Sequence, residues 1–90
     1  MNSWIEELGD DIRTKIASKY DALPENDSVR SYARDDVDFG TWLMVVNGAC
    51  YRRIGFGIFD LPDKSWRDWY EDQMTPGEAL RALMEEGIEA

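Results

Sequence analysis

Carboxylates are the only side chains numerous enough to carry chemistry in this ninety-residue chain, which has nineteen acids, ten bases and no histidine. Asp60, Asp63, Asp68, Glu71 and Asp72 form the densest group, interleaved with Trp66, Trp69 and Tyr70. Such a set could serve acid–base work or hold a divalent cation. A calcium loop needs oxygen ligands at alternate positions around a glycine, closed by a glutamate, and Pro62 and Lys64 stand there instead. A magnesium site needs fewer protein ligands and stays open as an alternative. The structural reading weighs more. Asp60 or Asp63 caps a turn, Asp68 closes a capping box with Ser65, and the aromatics fill a core.

Other chemistries lack their parts. Without histidine there is no neutral-pH base, no imidazole ligand and no serine–histidine pair. The single cysteine, Cys50, can form neither an internal disulfide nor a zinc site, and it falls on the apolar side of its segment, where a thiol is inert. Gly55 and Gly57 around Phe56 suggest a phosphate loop, but the third glycine and the Lys-Ser/Thr pair are missing. Arg52-Arg53 reads as charge compensation at a helix end. The expectation is a protein that is not an enzyme, with no catalytic residue, no cofactor and no metal.

Charge then points to the partner. At −9, the chain repels DNA, RNA and anionic membranes, because binding phosphates requires lysines and arginines that displace counterions. The bland reading of the acidity is solubility. The sharper one is a protein partner with a basic surface, met by Glu6, Glu7, Asp10 and Asp11 near the start of the chain. Asp35, Asp36, Asp68, Glu71 and Asp72 would complete that surface. The longest apolar run, residues 42–46, is too short to span a bilayer, and one thiol without a secretion signal fits the cytoplasm.

These acids need elements to place them. Ile5, Leu8, Ile12, Ile16 and Tyr20 recur at helical spacing, with Ser3 and Glu6 set as a capping box and Gly9 as a tolerated flaw of about 1 kcal/mol. Pro24 and the polar residues after it end this helix. Residues 24–37 read as a polar, mobile connection with a helical turn between Ser28 and Arg34. Asp38 then caps a helix carrying Phe39, Trp42, Leu43, Val46, Ala49, Cys50 and Ile54 on one face, with Gly55 as its left-handed exit. Asn47-Gly48 is a strong hairpin signal, so an α+β arrangement is the alternative, but helical spacing explains more of the apolar positions. Pro62 blocks continuation, and Ser65 starts a short helix with Trp66, Trp69 and Tyr70 inward. Thr75, Pro76 and Glu78 announce the last helix, whose stripe is Ala79, Leu80, Leu83, Met84 and Ile88. Trp42, Val46, Leu61, Trp66, Trp69, Leu80 and Leu83 are expected to meet in one core joining the last three helices.

Residues 38–86, reading FGTWLMVVNG and then IGFGIFDLPDKSWRDWYEDQMTPGEALRAL, resemble a group of small uncharacterised acidic proteins of bacteria, plasmids and phages. The shared features are Trp42, Gly55, Asp60, Leu61, Asp63, Trp66, Asp68, Tyr70, Asp72, Thr75, Pro76, Glu78 and Ala79. Gln73 stands where the group has glycine, which implies a strained or different turn before the last helix. The resemblance implies helices over 38–54 and a phage or mobile-element origin, and no activity. Composition, spacing and resemblance together predict one all-α domain over residues 1–90, of three to four helices. Its expected role is a non-enzymatic interaction module, in its sharpest form an acidic inhibitor of a nucleic-acid-binding protein. The alternative is a small regulatory or antitoxin-like subunit that binds its partner through an apolar face.

Overall fold

A computed structural model describes residues 2–34, 36–61 and 64–86. Asp35, expected at the partner surface, lies outside the described residues. So do Pro62 and Asp63, expected in the turn, and Ile88, expected on the last apolar stripe.

The described chain is all-α. Three helices of eleven or more residues, α2 (Asp10–Asp21), α4 (Val37–Ile54) and α6 (Pro76–Glu86), are accompanied by short helices α1 (Ser3–Glu7), α3 (Ser28–Ala33) and α5 (Trp66–Glu71). A 3-10 turn spans Ile58–Asp60, and no strand occurs among the described residues. α4 is the hub, packing against α2, α3, α5, α6 and the 3-10 turn. Its central position follows from its sequence: Phe39, Trp42, Leu43, Val46 and Cys50 are all essentially inaccessible, as helical spacing requires. Gly55 ends it at φ +80°, the left-handed exit the sequence predicts. Asn47-Gly48 makes no hairpin. The Asn47 side-chain oxygen instead accepts the Ile58 amide at 2.9 Å and fastens the 3-10 turn to α4.

Differences from the sequence reading gather at helix starts. Asp36, not Asp38, caps α4, its carboxylate accepting the Phe39 amide at 3.1 Å. Ser65 makes no side-chain cap on α5, so the expected box with Asp68 does not form. The segment expected to run as one helix from Ser3 breaks at Leu8-Gly9, and both residues are extended. The break removes glycine from a helix interior and gives Asp10 and Asp11 their own positive helix end. It also rotates Ile12, expected inward, to 53% exposure. The cap of α1 is Asn2, whose side-chain oxygen accepts the Trp4 amide; Ser3 is already helical.

The expected mobile connection is packed instead. Val29 and Ala33 of α3 are buried, and Arg30 donates to the carbonyls of Tyr20, Asp21 and Leu23, closing the C-terminus of α2. Where α2 crosses α4, Gly40 lies under the Tyr20 ring, and a Cβ there would collide with that ring. Thr75 and Glu78 form the predicted capping box on α6, each accepting the other's amide.

One core results. Trp42, Val46, Trp66 and Leu83 are fully buried, with Leu61, Trp69 and Leu80 packed partly buried against them. The first half of the chain also enters this core, through Ile5, Tyr20, Val29 and Ala33, which the three-helix expectation omitted.

Candidate functional site

The acids singled out from the sequence fall into two kinds. Asp36 and Glu71 are drawn together by Arg67, which reaches Asp36 at 2.6 Å and Glu71 at 3.1 Å. Arg67 and Glu71 are four residues apart on α5, a spacing visible in the sequence; the third member, Asp36, is the cap of α4, 31 residues earlier in the chain. The guanidinium also lies over the rings of Phe39 and Tyr70, at 4.9 and 5.6 Å from their centroids. Burial pushes the Asp36 carboxyl up, but the Phe39 amide and the Arg67 guanidinium outweigh it and hold the group below its ordinary value.

Glu6, Glu7, Asp10, Asp11, Asp68 and Asp72 are the other kind. All six are exposed and have no ion-pair partner among the described residues. They are nevertheless tied to one region. Asp36, Asp38, Arg67, Tyr70, Glu71 and Gln73 line an open groove of about 480 Å³ at the start of α4. Arg13 of α2 donates to both oxygens of Asp38 at 3.0 Å, which brings the Asp10–Asp11 turn beside that groove. The Ser3 amide donates to Gln73 Oε1 at 2.7 Å, which does the same for α1 and its two glutamates.

This second link rests on a part of the site that sequence reading left unassigned. α5 ends in a reversed turn in which the Gln73 amide donates to the Tyr70 carbonyl and the Met74 amide to that of Trp69, both at 3.2 Å. Gln73 occupies the left-handed position at φ +69°, where a residue other than glycine is strained. Asn2 clasps the turn from outside: its Nδ2 donates to the carbonyls of Tyr70 and Met74, each at 2.8 Å. Trp42 Nε1 shares the Met74 carbonyl at 2.9 Å. Asn2 is fully buried, and its only sequence signal is an amide residue just before a helical pattern.

The remaining candidates are structural. Cys50 is fully buried, and burial, with Asp60 nearby, pushes its thiol up, away from the reactive thiolate. Asp60 caps the 3-10 turn by accepting the Gly57 amide at 3.2 Å. Gly57 packs against Asn47 and Tyr51, which explains the glycine without a phosphate. Among the described residues no group of three or more acids or thiols is arranged to hold a metal ion. No helix among them is long and apolar enough to cross a membrane.

Fold and site thus define a small all-α protein with a carboxylate-rich groove at the head of its central helix. Comparison with protein-family models, curated proteins and solved structures returns no match for the chain.

Proposed function

We propose that this chain is a non-enzymatic protein-interaction module whose acidic end docks on the basic surface of a nucleic-acid-binding protein and occupies the place of its phosphates. One observation carries the reading: six exposed carboxylates, without ion-pair partners among the described residues, sit on α1, α2 and α5 with its C-terminal cap, and hydrogen bonds tie these elements around one groove. Unpaired surface acids cost little when solvated, and they supply the long-range field that speeds docking onto a basic partner. The resemblance over residues 38–86 favours a phage or mobile-element setting for such an inhibitor. The experiment is capture of the partner from host lysate, followed by association kinetics at low and high salt. The pair Glu7→Gln with Asp11→Asn should leave melting unchanged and slow association at low salt. A partner that binds no nucleic acid, with kinetics indifferent to salt and to these changes, overturns the proposal.

A second reading, docking through an apolar surface as a regulatory subunit, is favoured by Tyr51 at 53% and Phe56 at 58% exposure. Salt separates the two, since an apolar contact weakens little as ionic strength rises.

A further inference from the structure

The end of α4 away from the acidic groove has the opposite character. α4 is eighteen residues long, which puts Arg53 about 25 Å along the helix from Asp36. There Arg53 faces Gly77, Leu80, Arg81 and Met84 of α6 across an open groove of about 560 Å³. Arg53 and Arg81 form no ion pair or hydrogen bond among the described residues, although acids outnumber bases almost two to one. Arg13, Arg30 and Arg67, by contrast, are all engaged with the fold. Glu85 also lines the groove, four residues after Arg81, and forms no ion pair with it; a base preceding an acid is the weaker order on a helix. The groove floor is apolar. Leu80 and Met84 are only partly buried, and Met adapts to varied shapes. Gly77 keeps the groove open without being required by packing, because a Cβ there would meet nothing closer than Thr75 Oγ1 at 3.9 Å.

We propose that this groove between α4 and α6 docks a short amphipathic peptide segment of a second protein, with its apolar side chains on Leu80 and Met84 and a carboxylate between Arg53 and Arg81. Guanidinium groups bind carboxylates in a two-pronged geometry, which suits two arginines flanking an apolar floor. The −9 net charge selects against longer polyanions. Two free arginines release too few counterions to hold a duplex or an anionic bilayer against that repulsion, whereas a peptide with one or two acids incurs little of it. The molecule would then carry two docking ends of opposite charge and could bridge two partners.

The test is selection of short random peptides displayed on phage against the full-length chain, with duplex DNA and phosphatidylserine vesicles as further probes. Enriched sequences should combine Asp or Glu with Leu, Ile, Phe or Met at spacings of three or four. The best synthetic peptide should lose at least about tenfold in affinity, equivalent to ~1.4 kcal/mol, with Arg53→Glu plus Arg81→Glu. Gly77→Phe, which fills the groove and leaves both charges, should weaken it comparably without lowering the melting temperature. Absence of enrichment, enrichment of basic sequences, or binding indifferent to either variant overturns the proposal. DNA or vesicle binding that depends on the arginine pair while peptides fail would assign the groove to a polyanion and overturn it equally.

Discussion

Asn2 offers the sharpest test of the fold, because a single side chain joins the start of α1 to the turn between α5 and α6. It is fully buried and makes three hydrogen bonds, at 2.8, 2.8 and 2.9 Å, which close the α5–α6 turn and cap α1 at once. Asn2→Ala removes the donor from two carbonyls that each retain another: the Gln73 amide on Tyr70 and the Trp42 indole on Met74. Those two losses should therefore cost about 0.5–1 kcal/mol apiece. Losing the cap on Trp4 adds about 1 kcal/mol, and the small cavity somewhat more. The total is roughly 2–4 kcal/mol, a large share of the stability of so small a domain, and a drop in melting temperature of about 10–25 °C. Asn2→Asp discriminates further. It preserves the cap on Trp4 but sets a carboxylate oxygen against two carbonyl oxygens, so its folded-state pKa must rise. An acid with a raised pKa loses stability as pH climbs through the unfolded value near ~4. The Asp variant should therefore be less stable than the Ala variant at pH 7 and recover part of the difference in acid. Urea unfolding of the three proteins at both pH values measures this. An Asp variant as stable as wild type at pH 7 would refute the buried clasp and, with it, the attachment of α1 to the acidic groove.

Gln73 separates side-chain from backbone effects. Gln73→Gly relieves about 1 kcal/mol of left-handed strain while losing a bond to Ser3 of similar worth, so it should be near neutral. Gln73→Ala keeps the strain and loses the bond, and should be about 1 kcal/mol less stable than the glycine variant by denaturant midpoint; equal midpoints would place the turn outside the left-handed region. Asp36, held below its ordinary pKa, stabilises fully above the unfolded carboxylate value near ~4, and that contribution is lost as pH falls through the lower folded value. Asp36→Asn keeps a helix cap and should flatten the acid limb of the stability–pH curve, whereas an unchanged limb would assign the acid sensitivity to other carboxylates.

What could be read from the sequence was set by one helix face at a time. The stripe from Phe39 to Cys50 and the Thr75–Glu78 box are local patterns, and the fold reproduces both because no tertiary contact competes with them. Sequence and structure differ where two local patterns are nearly equal in energy. A helix through Gly9 and a break at Gly9 differ by little more than the glycine cost itself, and burial of Ile5 with the Asn2 clasp decides for the break. The cap of α4 is a contest between Asp36 and Asp38, two residues apart, and each is settled by a distant arginine, Arg67 for one and Arg13 for the other. No spacing rule exposes those pairings, since they join positions 31 and 25 residues apart. The same limit governs the candidate sites. A count of charges marks acids as the salient surface but does not show that Asp36 and Glu71 are paired while six others have no ion-pair partner among the described residues. In the sequence Arg52 and Arg53 read as charge compensation at a helix end, whereas the fold sets Arg53 beside Arg81 across an apolar floor. Net charge is a sum over the chain; recognition depends on which charges the fold leaves unpaired, and among the described residues it leaves carboxylates on the elements around one end of α4 and guanidinium groups beside the other.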